Sequence, residues 1–167
     1  FIGEIKKKGL QETILLPFQN GVYSEQKISQ EFGEEKTFGA VAQISSFINE
    51  NQYVIHKGKL ASFFVGNMSD IVNKKLLKFC EISKNSGLEI QYKSNIKEKI
   101  WEKFIFLSAY SGITTLTKKS IGEIFASTAL EDYFVSAMIE TYNLSKFFNV
   151  KFKVNPVDYW LKKIKKM

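Results

Sequence analysis

A lysine at the rim of an apolar block is one of two places in this sequence where residue types and spacing could do chemistry. In IWEKFIFLSAYSGITTLT, residues 100–117, the side chains of Phe104, Ile105, Phe106 and Leu107 point in every direction of a helix. The segment is therefore expected to be buried nearly all round, with Lys103 at its edge. Helical spacing stacks Lys103, Leu107 and Ser111 in one row. Withdrawing such an amine from water disfavours its ammonium form and lowers its pKa toward the range useful for proton donation. The same pattern also fits a lysine that lays its stem on the core and keeps its charge in water.

The second place is LPFQNGVYSE, residues 16–25. The apolar run from Ile14 to Phe18 suits a buried strand, and Gln19-Asn20-Gly21 halts it with residues that tolerate positive φ. Either this is an ordinary turn before a helix, or it is a strand end where backbone and an amide side chain meet a ligand. His56-Lys57-Gly58 is a further candidate ligand contact at a strand end, with a structural histidine as the alternative.

Composition narrows what these residues serve. The 167 residues, 44% hydrophobic and 14% aromatic, make one ordinary domain or two small ones. A single cysteine, Cys80, forms no internal disulfide, and its setting in LLKFCEI predicts a buried, inert thiol in a reducing compartment. With one Cys and one His there is no Cys/His zinc cluster, and no metal is expected. FIGEIKKKG places its apolar residues before its charges, unlike a signal peptide, and the longest apolar run, Phe104 to Leu107, is far too short to span a bilayer. The expectation is a cytoplasmic protein without membrane contact. The net charge of +7 comes from 24 lysines and no arginine, so the bidentate fork that reads guanine edges is absent and nucleic acid is not an expected partner. The lysine pairs at 74–75, 118–119, 162–163 and 165–166 are scattered as on solvated helix faces, although an anionic small molecule suits the excess equally well.

The elements that must position these residues follow from periodicity. A helix end over Gly3–Lys8 stops at Gly9, and a buried strand follows near Thr13–Phe18. Ser24 is expected to cap a short helix to Phe32. TFGAVAQISSFI reads as a strand, Asn49–Asn51 as a turn, and QYVIHKG and ASFFVGN as two further strands. Ser69 is expected to cap a helix through Lys84, with Leu76, Leu77, Cys80 and Ile82 as its apolar side and Gly87 as its stop, before a strand at LEIQY. Helices are expected at 96–111, 119–126, 128–148 and 156–166, with at most a short extended piece at VKFKV. Val157, Trp160, Leu161 and Ile164 would dock the basic last helix on its neighbours or lay it on a membrane surface. A boundary near Lys93-Ser94-Asn95 divides an α/β part, 1–93, from an all-α part, 94–167.

In order, LLPFQNGV at 15–22, FGAVAQISSFI at 38–48, VIHKG at 54–58, IWEKF at 100–104 and LTKKSIGEIF at 116–125 resemble the ketopantoate reductase family, the NADPH-dependent 2-dehydropantoate 2-reductases. The resemblance covers nearly the whole chain. It implies the remnant of a Rossmann-type NADP-binding domain followed by a truncated helical substrate and dimerisation domain. By it, Lys103 matches the catalytic lysine that polarises a ketone and assists its protonation, and Asn20, with Gly21, matches the strand end beside nicotinamide and substrate. Ser111 matches a substrate-binding position, whereas Leu107 stands where the family usually has an asparagine and cannot hydrogen-bond a substrate.

No G-x-G-x-x-G occurs among the ten glycines. By the same resemblance, the glycine-rich turn and a C-terminal segment with a substrate-binding serine and glutamate are missing. A first residue other than Met adds to the expectation of a piece of a longer protein. The implied function is reduction of a 2-oxo acid, ketopantoate to pantoate in pantothenate and coenzyme A biosynthesis. NADPH is the implied cofactor, a homo-oligomer the expected assembly, and the isolated chain is expected to be inactive. The alternative is a non-catalytic helical interaction module of the same family.

Overall fold

The structure is a computed structural model that describes residues 2–9, 13–68 and 72–165. The chain divides into two compact units, Phe1–Ile100 and Trp101–Met167, with the division falling inside a long helix, α4 (Ile96–Thr117). The first unit mixes helices and strands, and every element described in the second is helical. This is the expected remnant of a Rossmann-type α/β domain followed by an all-α part.

In the first unit, α1 (Ile2–Lys7) ends as its glycine predicts: Gly9 has φ +66° and its N–H donates to the carbonyl of Lys6. α2 (Ser24–Phe32) packs Ile28 and Phe32 against Ile5 of α1. Its cap position is Tyr23, which supplies no side-chain acceptor, so the expected Ser24 cap is displaced by one residue. Ser24 Oγ donates to Gln19 Oε1 at 2.6 Å.

β1 (Phe38–Ile48) and β2 (Val54–Asn67) form an antiparallel hairpin, with a register irregularity between Ile44 and Ser46. The two strands expected at QYVIHKG and ASFFVGN are one continuous strand, because the glycine between them, Gly58 at φ +77°, is absorbed into β2 without breaking it. Asn49 closes the hairpin by accepting the Tyr53 N–H on its Oδ1 at 2.9 Å. Only the first half of β1 is core: Phe38 to Val41 are buried, and residues from Ile44 onward are exposed.

α3 (Lys74–Asn85) is capped by Asn73, whose Oδ1 accepts from the N–H groups of Lys75 and Leu76. The expected Ser69 cap lies outside the described residues. Leu76 is buried and Cys80 half-buried, but Leu77 and Ile82 are exposed, so the inward stripe is narrower than expected and continues through Ser83. Burial raises the Cys80 pKa, which agrees with an inert thiol. β3 (Ile90–Tyr92) then joins β2 in parallel, giving the order β1-β2-β3. Phe38, Ala40, Val65, Leu76 and Ile90 form the core beneath this sheet.

Gly66 has a packing reason. A Cβ there would lie 2.0 Å from the carbonyl oxygen of Lys93, where the chain turns from β3 toward α4 and Lys93 N–H donates to Val65 O at 2.8 Å.

In the second unit, α4, α5 (Ile121–Phe125), α6 (Thr128–Phe147) and α7 (Pro156–Ile164) enclose Ile105, Ala109, Ile124, Phe134, Met138, Val157, Trp160 and Ile164. Ser120 and Glu123 form a capping box at α5, and Asn155 caps α7 with Pro156 in its first turn. Val157, Trp160 and Ile164 are buried in this core, so the last helix docks on its neighbours. VKFKV carries no strand.

Candidate functional site

The Asn20–Gly21 turn is built from a segment that is only briefly a strand. Residues 13–18 were expected to be a buried strand, but Leu15 makes a single parallel bridge with Thr37: Leu15 N–H donates to Lys36 O and Leu15 O accepts from Phe38 N–H. Pro17, which has no N–H, follows two residues later, and the ladder goes no further. Gly21 has φ +98° with no atom within 4 Å of where a Cβ would stand, so backbone conformation, not crowding, requires glycine here. Asn20 is exposed, and Val22 packs on the cluster of Val41, Ile96 and Ile100. The Ser24–Gln19 hydrogen bond staples the two sides of the turn. A cavity of about 330 Å³ opens along residues 14–19, with Ser24 and Lys27 as its other polar groups.

Glu25, in the first turn of α2, is 4% exposed. Burial pushes its pKa up to about 7, against the lowering effect of two N–H donors, its own and that of Ala40. Sequence reasoning missed this group, because an acid in the first turn of a helix ordinarily faces solvent and the helix dipole.

On α4, Lys103 is half-buried, and burial holds its ammonium below the usual lysine range, in the direction expected from its place at the edge of the apolar block. Ile105 is fully buried, whereas Phe104, Phe106 and Leu107 are half-buried, so the block is less enclosed than its composition predicts. Ser111 is exposed and donates its hydroxyl to the carbonyl of Leu107 at 2.8 Å, which leaves the oxygen free to accept from a ligand and costs it the proton. Leu107 presents only carbon between them.

The turn that carries Lys103 is held from behind. Trp160 Nε1 donates to the carbonyl of Glu102 at 2.7 Å, and the indole stacks on Phe106 with ring centres 4.2 Å apart. Neither contact was visible in the sequence, since the hydrogen-bond partners lie 58 residues apart and the stacked rings are nearly as distant along the chain. Lys103 and Ser111 thus share one helix of the second unit, while Asn20 and Gly21 belong to the first. His56 pairs with Ser46 on the exposed part of the hairpin.

Comparison with known proteins bears on both units. The sequence pattern described as ketopantoate reductase PanE/ApbA matches residues 2–70, and that described as ketopantoate reductase PanE/ApbA C terminal matches residues 95–167. A curated relative, the uncharacterized oxidoreductase YkpB of Bacillus subtilis (strain 168), is 26% identical over 128 residues, 77% of this chain and 42% of the relative. The crystal structure of 2-dehydropantoate 2-reductase from Porphyromonas gingivalis W83 superposes with a TM-score of 0.82 at 19% identity, covering 93% of this chain and 53% of that one. A dimeric ketopantoate reductase from Staphylococcus aureus gives 0.76 at 16% identity over 94% and 51%. The chain thus spans about half the length of the proteins it matches. With both family patterns found in order, one on each side of residues 71–94, the chain belongs to the ketopantoate reductase PanE/ApbA family.

Proposed function

We propose that these residues serve an NADPH-dependent reduction of a 2-oxo acid, ketopantoate to pantoate, in the full-length reductase that carries this chain. Residues 1–93 form part of its dinucleotide domain, and 94–167 belong to its substrate and dimerisation domain. The observation that carries the reading is Lys103, an amine half withdrawn from water on the family's C-terminal helical part, with its pKa lowered by burial. Lys103 donates to the ketone oxygen, stabilises the negative charge that develops there, and helps protonate it. Asn20 and the open backbone at Gly21 hold the reacting end of the cofactor, and Asn20 also contacts the substrate, with Ser111 as a second polar contact that accepts from it. The bound dinucleotide supplies the hydride.

The residues present fit only one end of that cofactor. The Gly21 backbone is open to close approach, but the sequence has no G-x-G-x-x-G to cradle a pyrophosphate at a helix N-terminus. This chain by itself is therefore proposed to bind NADPH weakly and not to turn over, and titration calorimetry on the purified 167 residues is expected to show no affinity tighter than micromolar. In the full-length protein, a screen of 2-oxo acids against NADPH and NADH, followed by loss of nicotinamide absorbance, tests the reaction itself. Consumption of NADPH with a branched 2-oxo acid supports the proposal, and no consumption with any 2-oxo acid overturns it.

One residue favours a second reading. Leu107 removes a hydrogen-bonding group from the Lys103–Ser111 row, which suits either a less polar 2-oxo acid than ketopantoate or a helical interaction module without chemistry. Turnover in the same screen separates the two. The homo-oligomer is likewise a proposal, supported by the dimeric Staphylococcus aureus relative. Among the described residues no helix is long and apolar enough to cross a membrane.

A further inference from the structure

On the side of α4 that carries Lys103 stands a second residue with a polar tip. At about 100° per residue, Tyr110 lies about 20° from Lys103 around the helix axis, nearer than Leu107 at about 40° or Ser111 at about 80°, and about 10 Å further along it. Its ring leans back toward the N-terminal end of α4, where Lys103 lies: the ring centres of Tyr110 and Phe106, one turn earlier, are 5.4 Å apart. Tyr110 is 37% exposed. Among the described residues its phenol hydroxyl makes no hydrogen bond, and the one side-chain hydrogen bond at this residue, from Thr114 Oγ1 at 2.6 Å, goes to its carbonyl. Ser111 offers no comparable donor, because its proton is committed to the carbonyl of Leu107.

We propose that Tyr110 is a specificity-determining residue of the reduction, its phenol donating a hydrogen bond to the far end of a 2-oxo acid whose ketone oxygen is held by Lys103. This rests on the reductase reading of Lys103 and adds the part of the substrate that Lys103 does not touch. A molecule lying along this side of α4 meets an amine, then the carbon-only side chain of Leu107, then a phenol. The matching chemistry is a ketone, a branched apolar middle and a terminal acceptor such as a hydroxyl, in that order. Ketopantoate has that order of groups, with two methyl groups on the carbon between its ketone and its hydroxymethyl. On this assignment Leu107 packs on the branched carbon, and the polar contact that it cannot make passes to Tyr110.

The test compares the full-length protein with its Tyr110→Phe variant, using NADPH and two substrates: ketopantoate and trimethylpyruvate, which differs from it only in lacking the hydroxyl. The wild type is expected to favour ketopantoate. Tyr110→Phe keeps a ring beside Phe106 and removes the donor. It is expected to lower kcat/KM for ketopantoate by about three- to tenfold, the worth of one neutral hydrogen bond, through KM rather than kcat, and to leave trimethylpyruvate unchanged. An unaltered preference, or a loss shared equally by both substrates as from disturbed packing, overturns the assignment while the reductase reading stands. If the wild type reduces neither substrate, the reductase reading fails, and titration calorimetry with pantoate decides for Tyr110 separately. Weaker binding by the variant then supports the contact, and equal binding by both proteins, or none by either, overturns it.

Discussion

The indole N–H of Trp160 meets the main-chain oxygen of Glu102 at 2.7 Å inside the helical unit, one residue before Lys103. A helix carbonyl already bonded within its own turn has a second lone pair, and α7 uses it to hold α4 at the position where the amine leaves the helix. Trp160→Phe keeps an aromatic ring for Phe106 to stack on and deletes the donor. The expected cost is about 1–2 kcal/mol of stability, read by urea denaturation, together with a shifted Lys103 side-chain resonance. An unmoved resonance would leave Trp160 a packing residue only.

Glu25 gives the fold a pH dependence whose sign is fixed. Its folded pKa of about 7 lies above the reference 4.5, so the folded state holds the extra proton through that interval. The associated stability is complete below about pH 4.5, is lost as pH rises, and is gone above about 7, a span on the order of 3 kcal/mol. Urea titrations at about pH 5 and pH 8 are expected to show a steeper loss for wild type than for Glu25→Gln. Parallel behaviour of the two would show that the carboxyl ionises alike in both states.

Two glycine substitutions of the same chemistry are expected to act in opposite directions. Gly66→Ala forces a methyl against the fixed carbonyl of Lys93 and should destabilise the first unit by about 1–3 kcal/mol or more. Gly112→Ala fills open space on an exposed turn of α4 and should stabilise by about 0.5–1 kcal/mol through helix propensity and a less flexible unfolded chain. Thermal unfolding of both variants checks the pair.

What the sequence made legible was local. Helical periodicity placed the starts of α4 to α7 within about two residues, although α4 runs on to Thr117 instead of ending at 111, and the rim position of Lys103 carried the direction of its lowered pKa. The misses came where distant residues decide. Thr13–Phe18 has strand composition, yet Thr37 gives it a single rung, so it stays extended without a ladder. Gly58 and its polar neighbours look like a break, but pairing with β1 on either side carries β2 straight through. Leu77 and Ile82 have apolar side chains, yet only the stripe of Leu76, Cys80 and Ser83 faces the sheet. Glu25 and the Trp160–Glu102 bond are tertiary facts with no periodic signature.

The most direct test of the central claim is the rate of NADPH oxidation by the full-length reductase with Lys103 replaced by alanine, in parallel with the unaltered enzyme. If this half-buried amine polarises and protonates the ketone, kcat should fall by about a hundredfold or more while the nicotinamide nucleotide still binds. A variant that turns over at the unaltered rate would remove Lys103 from the chemistry and with it the reductase mechanism argued for this chain.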